Sequence, residues 1–289
     1  MQSNGSNHHG SPLVPEQRTR LVFERISRHI NHLGKEPKSG EVHRFRTNSR
    51  RVEALVGEFT PESGNKQKLL KRLSKLRKKA GKIRDLDVQI AFIENLKIPD
   101  RQNHRLELLE SLTSERTRRS RKLPGSFDAN SVRKLRKRLR RANSAITLEG
   151  VDLVKRAIGR LPDPTAVQLN EKGLHAFRIA AKGARYLAEL GNSDEANFVV
   201  EELKRAQDVI GEWHDVLKLK EQAEKQFGRV HDSTLVAALN NIAHARFRRA
   251  SNAAIEALTN IAKRQRAGSA PAVRKEPAVA GSERAAAVA

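Results

Sequence analysis

The chain has 289 residues, with 57 Lys and Arg against 33 Asp and Glu, a formal net charge of +24, and no cysteine. That length suits one large domain or two smaller ones, and the missing cysteines exclude disulfides, thiol chemistry, Cys-ligated zinc and iron–sulfur clusters. A charge this large opposes compaction by self-repulsion, so a polyanionic partner is expected: nucleic acid, an anionic membrane surface or polyphosphate, against the plainer reading of a solvated charged surface.

Residues 1–14 are rich in Ser, Asn, Gly and His, lack the apolar stretch of a secretory signal and are expected to be disordered. Beyond them, helical periodicity predicts eight segments, at about 15–33, 38–58, 65–97, 101–122, 129–158, 168–190, 194–227 and 231–264. Pro61, Pro99, Pro124, Pro162 and Pro164 fall between segments, as helix breakers should. No convincing period-2 strand is present, so the expected fold class is all-α. From 266 to 289 the chain is Ala- and Pro-rich without periodicity and reads as a disordered tail. No run approaches 18 apolar residues, so no membrane span is expected, and the lack of cysteine suits the reducing cytoplasm expected as its location.

The second segment carries an apolar seam at Val42, Phe45, Ser49, Val52, Val56 and Phe59. One residue around from it, roughly 100° on a helix, lies the basic stripe His43, Arg46 and Arg50, spaced i, i+3, i+7 over about 10 Å. The stripe therefore lies at the edge of the packed face, where it can line a groove. Like charges so stacked repel. An anion-binding surface explains them best, because Arg presents a donor fork and Lys a mobile point charge to phosphate oxygens, and protonated His donates from both nitrogens. The plainer alternative is that the histidines are hydrogen-bonded core residues. The third segment carries Arg77, Gly81 and Arg84, followed by Asp85 and Asp87, which orient neighbouring cations more readily than they bind metal. Arg116 and Arg119 lie on the fourth segment, and Arg133, Arg136, Lys137 and Arg140 on the fifth, opposite Val132, Leu135 and Leu139.

The pattern then recurs. The sixth segment has the seam Leu174, Phe177, Ala181, Ala184 and Ala188 and the stripe His175, Arg178 and Lys182, 132 residues after the first. The seventh has Lys204, Gln207, Gly211, His214 and Asp215, where Gly211, His214 and Asp215 follow Gly81, Arg84 and Asp85 by 130 residues. The eighth has Arg246 and Arg249, which follow Arg116 and Arg119 by the same interval. Three matches in one order imply a duplicated unit of about four helices, and short loops favour antiparallel bundles. The expected architecture is two four-helix bundles related by a pseudo-twofold, at 15–124 and 125–265. The mid-helix glycines suggest close approach, of a neighbouring helix above all. No Gly-rich phosphate loop, nucleophile elbow, kinase signature or H-E-x-x-H motif appears, so catalysis has no positive support.

Together VHRFRTNSRRVEAL, GKIRDLDV, LHAFRIAAKGARYLAEL and AQDVIGEWHD resemble the CHAD domain, the conserved histidine α-helical domain, over about residues 15–265. The resemblance implies two pseudo-symmetric four-helix bundles, binding of inorganic polyphosphate, and association with polyphosphate granules and their other proteins. Many family members are fused to a triphosphatase domain, for which this chain has no room. By motif position the polyphosphate-lining residues fall on His43, Arg46, Arg50, Arg51 and Arg84, and on His175, Arg178, Lys182 and Arg185. Arg77, Arg116, Arg133, Lys204, His214 and Arg246 complete the expected polyphosphate-binding set. The family pattern is broken at Glu53 and Gly183, where basic residues are usual, so the two stripes are expected to be unequal. The expectation is a non-catalytic binder with no cofactor and no metal. The rival readings are a nucleic-acid binder, disfavoured by an aromatic content of 4% that leaves few stacking platforms, and a metal-dependent phosphohydrolase.

Overall fold

A computed structural model describes residues 13–34, 37–100, 102–163 and 170–269. The disorder expected for 1–12 and 270–289, and the helix start expected at 168–169, lie outside the described residues. Within them there are nine α-helices and one 3₁₀ turn, and no strand, so the chain is all-helical as expected. The helices are α1 Pro15–Leu33, α2 Ser39–Phe59, α3 Gly64–Glu94, α4 His104–Lys122, α5 Ala129–Ser144, α6 Leu153–Ile158, α7 Glu171–Ala188, α8 Asp194–Phe227 and α9 Thr234–Ser269, with the 3₁₀ turn at Pro124–Ser126.

Local chemistry sets the boundaries. Side chains of Ser63, Asp128, Asp152, Asn170 and Ser193 each accept from a backbone N–H three residues on, satisfying donors that a helix start leaves open. The single helix expected over 129–158 is two helices. Gly150 adopts a positive φ of 68° in the break, and Asp152 restarts the helix by accepting from the Lys155 N–H at 2.9 Å. The fourth helix begins at His104, not near 101, because Asn103 is left-handed (φ 55°) and Asp100 accepts from the Arg105 N–H. The last helix continues to Ser269, past the expected end at 264 and into the segment expected to be tail.

Three apolar cores hold these helices. The first joins α1, α2, the N-terminal half of α3 and α5, through side chains such as Ile26, Ile30, Phe45, Val52, Leu69, Leu73, Leu135 and Leu139. Its fourth wall is α5, so packing crosses the division expected at 124/125. The second core joins α6, α7, the first half of α8 and the second half of α9, around Phe177, Leu203, Ile210 and Trp213. A third core, at the far halves of the long helices, ties α3 and α4 to α8 and α9 through Leu86, Ile93, Leu108, Leu112, Leu219 and Leu239. Helices α3 and α8, of 31 and 34 residues, thus each run through two cores, about 45–50 Å end to end. Both expected seams are buried, apart from Phe59, which packs half-buried against the first and second cores together. With the seams facing inward, α2 lies against α7 and α3 against α8.

Candidate functional site: a cationic cluster between α2 and α7

The two stripes meet. Each sits one residue beyond a buried seam, at the rim of its helix, and the packing of α2 on α7 brings the rims together. Arg46 and Arg50 on α2 and Arg178 and Lys182 on α7 are all half-buried. Burial, followed by the proximity of Arg50, Arg178 and Arg46, lowers the Lys182 ammonium from 10.5 to about 6. Burial and then Arg46 hold the Arg50 guanidinium below its usual range. Burial does the same to Arg178, with Asp215 opposing and Arg46 adding.

These cations have almost no protein partner. Arg46 donates to Asp85 Oδ1 at 2.9 Å and to the Gly81 carbonyl at 3.3 Å. Among the described residues no carboxylate oxygen lies within 4.0 Å of a charged nitrogen of Arg50, Arg84, Arg178 or Lys182. Arg178 Nε is buried with no acceptor. A buried donor left open costs about 1–3 kcal/mol, and more when charged. The cluster therefore carries an electrostatic cost that an anion would remove.

Histidines flank the cluster on both helices. Burial and then Arg84 and Arg46 lower His43 from its ordinary value. Burial and then His214 and Arg178 lower His175. The His175 and His214 rings lie 5.7 Å apart at 22°, and His214 Nδ1 is 3.9 Å from Asp215 Oδ1. The close approach expected at the two mid-helix glycines differs from what is found. At Gly81 the Arg46 guanidinium of α2 lies against the helix, its atoms in ordinary contact at 3.7 Å from an ideal Cβ position. At Gly211 nothing lies within 4 Å of that position. Arg46 thus lies against α3 in the first half of the site, and among the described residues nothing takes the matching place at Gly211.

Other expected site residues hold protein contacts. Arg77 donates to both oxygens of Glu53, at 3.0 and 2.9 Å, while burial raises the Glu53 carboxyl against that pull. Arg51 donates to Glu189 Oε2 at 2.7 Å, and Arg185 Nε lies 3.3 Å from Glu189 Oε1 without a well-aligned hydrogen bond. Arg116 pairs with Asp87 at 3.0 Å, tying α4 to α3. Arg246 donates to the Glu212 carbonyl at 3.1 Å and stands 5.1 Å over the Phe92 ring. Arg133 and Lys204 are exposed on α5 and α8, and Lys204 lies ten residues, about 15 Å, along α8 from His214.

Two contributors escaped the sequence reading. Tyr186 lies under Arg185 and Arg51, 5.2 and 5.8 Å from its centroid, and so fixes the end of the cluster nearest Glu189. Arg160 reaches Gly183, its terminal nitrogen 2.9 Å from where a Cβ would stand. A cation therefore overhangs the position that lacks one, although Glu58 holds it together with Arg156. Adjacency to Arg185 was a signal for Tyr186, whereas no helical spacing connects Arg160 to Gly183. Among the described residues no group of three or more His, Asp or Glu side chains could hold a metal ion, and no helix is long and apolar enough to cross a membrane.

The geometry suits a multiply charged anion with oxygen acceptors, held by guanidinium and ammonium donors at a half-buried seam. In the comparisons with known proteins, the family model for the CHAD domain matches residues 18–224. The fold is similar to the crystal structure of the CHAD domain from the plant Ricinus communis, with a TM-score of 0.58 and 16% identity over 85% of this chain and 89% of that one. It is also similar to PptA from Streptomyces chartreusis, with a TM-score of 0.61 and 14% identity over 86% of this chain and 98% of that one. No match was found among curated proteins.

Proposed function

We propose that this chain, which belongs to the CHAD domain family, binds inorganic polyphosphate in the seam between α2 and α7 and does no chemistry on it. The observation that carries the reading is the set Arg50, Arg178, Lys182 and Arg84, cations gathered without a carboxylate partner while nearly every other arginine near them is paired. A linear polyanion would lie along the seam with His43 and Arg84 on one side and His175 and His214 on the other. Asp85 pairs with Arg46 and would yield part of it to phosphate, whereas Asp215 acts on Arg178 only through space, without an ion pair.

The architecture is read as two four-helix units from one duplication, α1–α4 and α6–α9, with α5 added to the first. The spacing of 130–132 residues and the pairing of α2 with α7 and α3 with α8 support it. Location in the cytoplasm at polyphosphate granules follows from the ligand. The test is an isotherm with long-chain polyphosphate for wild type and for Arg50→Gln/Arg178→Gln. Each charge-assisted contact is worth about 1.5–3 kcal/mol, so the double variant should bind more than tenfold more weakly. Equal affinity in a folded variant sinks the site. Displacement by duplex DNA at equal phosphate concentration sinks the specificity, and phosphate release from tripolyphosphate with magnesium sinks the absence of catalysis.

A further inference from the structure

A second cationic groove lies away from the α2–α7 seam. It runs between the start of α3 and one face of α5, encloses about 370 Å³, and is lined by Lys68, Lys134, Lys137, Arg138 and Arg141 together with Gly64 and Asn65. The four α5 side chains stand at i, i+3, i+4 and i+7, so they form one face, while Leu135, Leu139 and Ala142 go into the first core. Among the described residues none of the five cations forms an ion pair, and neither α5 nor the first turn of α3 offers a carboxylate. Among the described residues Lys71 and Lys75 on α3 and Arg133, Arg136 and Arg140 on α5 are likewise without an ion pair, and what distinguishes the five is that they line one concavity. Lys66 is held by the Gly57 and Thr60 carbonyls and by Glu62, and Arg72 and Lys79 by Ser126. Gly64, at the start of α3, is exposed, and among the described residues nothing lies within 4 Å of its Cβ position.

Five like charges converging on a concavity without counter-charge cost stability unless an anion is drawn in. The groove is not an extension of the seam. Gly64 is 17 residues before Gly81, where Arg46 rests, and that is about 25 Å along α3. We propose that this groove is a second, independent polyphosphate site, so that one molecule holds two phosphate chains, or two stretches of one long chain, at once. The ligand class rests on the polyphosphate reading above. The two-site consequence is this groove's own: a bivalent binder cross-links long polyanions when its two sites take different chains, and gains avidity when both take stretches of one chain.

The experiment compares wild type with the groove variant K134Q/K137Q/R138Q/R141Q and the seam variant Arg50→Gln/Arg178→Gln, using calorimetry with tripolyphosphate and light scattering with long-chain polyphosphate. The groove substitutions fall on exposed side chains and the half-buried Arg138, and thermal unfolding checks that the fold is kept. Wild type should titrate with two sites and scatter strongly with long chains. The groove variant should keep one site and lose at least tenfold in scattering, and the seam variant should keep the other site. If the groove variant still shows two sites and full scattering, the proposal is overturned. If it loses one site while the seam variant loses none, the groove stands and the seam reading falls. If it loses only binding of a duplex DNA and keeps both tripolyphosphate sites, the groove is a nucleic-acid surface and the proposal is wrong.

Discussion

Replacing Lys182 by Met should make the free protein more stable and its grip on polyphosphate weaker. Met keeps the apolar stem that Lys182 lays along α7 but removes the charge. The folded state binds the Lys182 proton at about 6, against an ordinary 10.5 in the unfolded chain. Between those values the unfolded chain carries the extra proton, so stability climbs with pH through that window and the penalty is greatest at its acid end. At pH 7.5, three pH units below the ordinary value, the penalty approaches 4 kcal/mol at about 1.4 kcal/mol per unit. Partial solvent access reduces it, so a gain of about 2–4 kcal/mol is expected for Lys182→Met. At pH 10 the gain should fall below about 1 kcal/mol. Polyphosphate affinity at pH 7.5 should drop about 10- to 100-fold, the loss of one charge-assisted contact. Urea unfolding followed by circular dichroism at both pH values, with isotherms for long-chain polyphosphate, measures both effects. A variant less stable than wild type at pH 7.5, or a gain equal at both pH values, would refute the claim that Lys182 is held at electrostatic cost.

Polyphosphate affinity should rise as pH falls from about 9 to 6. His43, His175 and Lys182 all have lowered proton affinity, and each gains a proton more readily beside phosphate. Calorimetry in buffers of different ionisation enthalpy should accordingly show net proton uptake on binding at pH 7.5. Glu53→Gln should release Arg77 from its carboxylate partner and strengthen binding severalfold, at a cost of about 1–3 kcal/mol in unfolding free energy for the pair it breaks. Binding that weakens in this variant would place Arg77 outside the ligand's reach. Gly191→Ala should lower stability by about 1–3 kcal/mol, because its Cβ would stand 2.8 Å from the Ala196 Cβ in the α7–α8 turn, which Arg18 also clasps through the Glu189 and Gly191 carbonyls. Thermal melts measure that, and polyphosphate affinity should stay unchanged.

Helix content and the buried seams were readable because 3.6-residue periodicity reports burial directly, as at Val42–Val56 and Leu174–Ala188. The place of each stripe one step beyond its seam put it at a groove edge, but that the two rims face each other is seen only in the packing of α2 on α7. What periodicity could not show is which cations find a carboxylate from another helix. Arg77 and Arg178 look alike along the chain, yet Glu53 reaches the first and, among the described residues, no carboxylate within ion-pair distance reaches the second. Nor could it show the break at Gly150, where a positive φ ends a run that otherwise reads as helix. The assignment of α5 to the first core was equally hidden, since Leu135 and Leu139 suit any apolar partner.

The third core, where α3 and α4 meet α8 and α9, contains no residue of the cationic seam. Fastening is therefore carried by apolar side chains of α3, α4, α8 and α9, and gripping mainly by cations on α2 and α7. The seam could be retuned charge by charge, trading or removing a basic residue, while the apolar clasp keeps both halves in register. Such a chassis lets the affinity for a polyanion drift over a wide range without the fold having to be rebuilt.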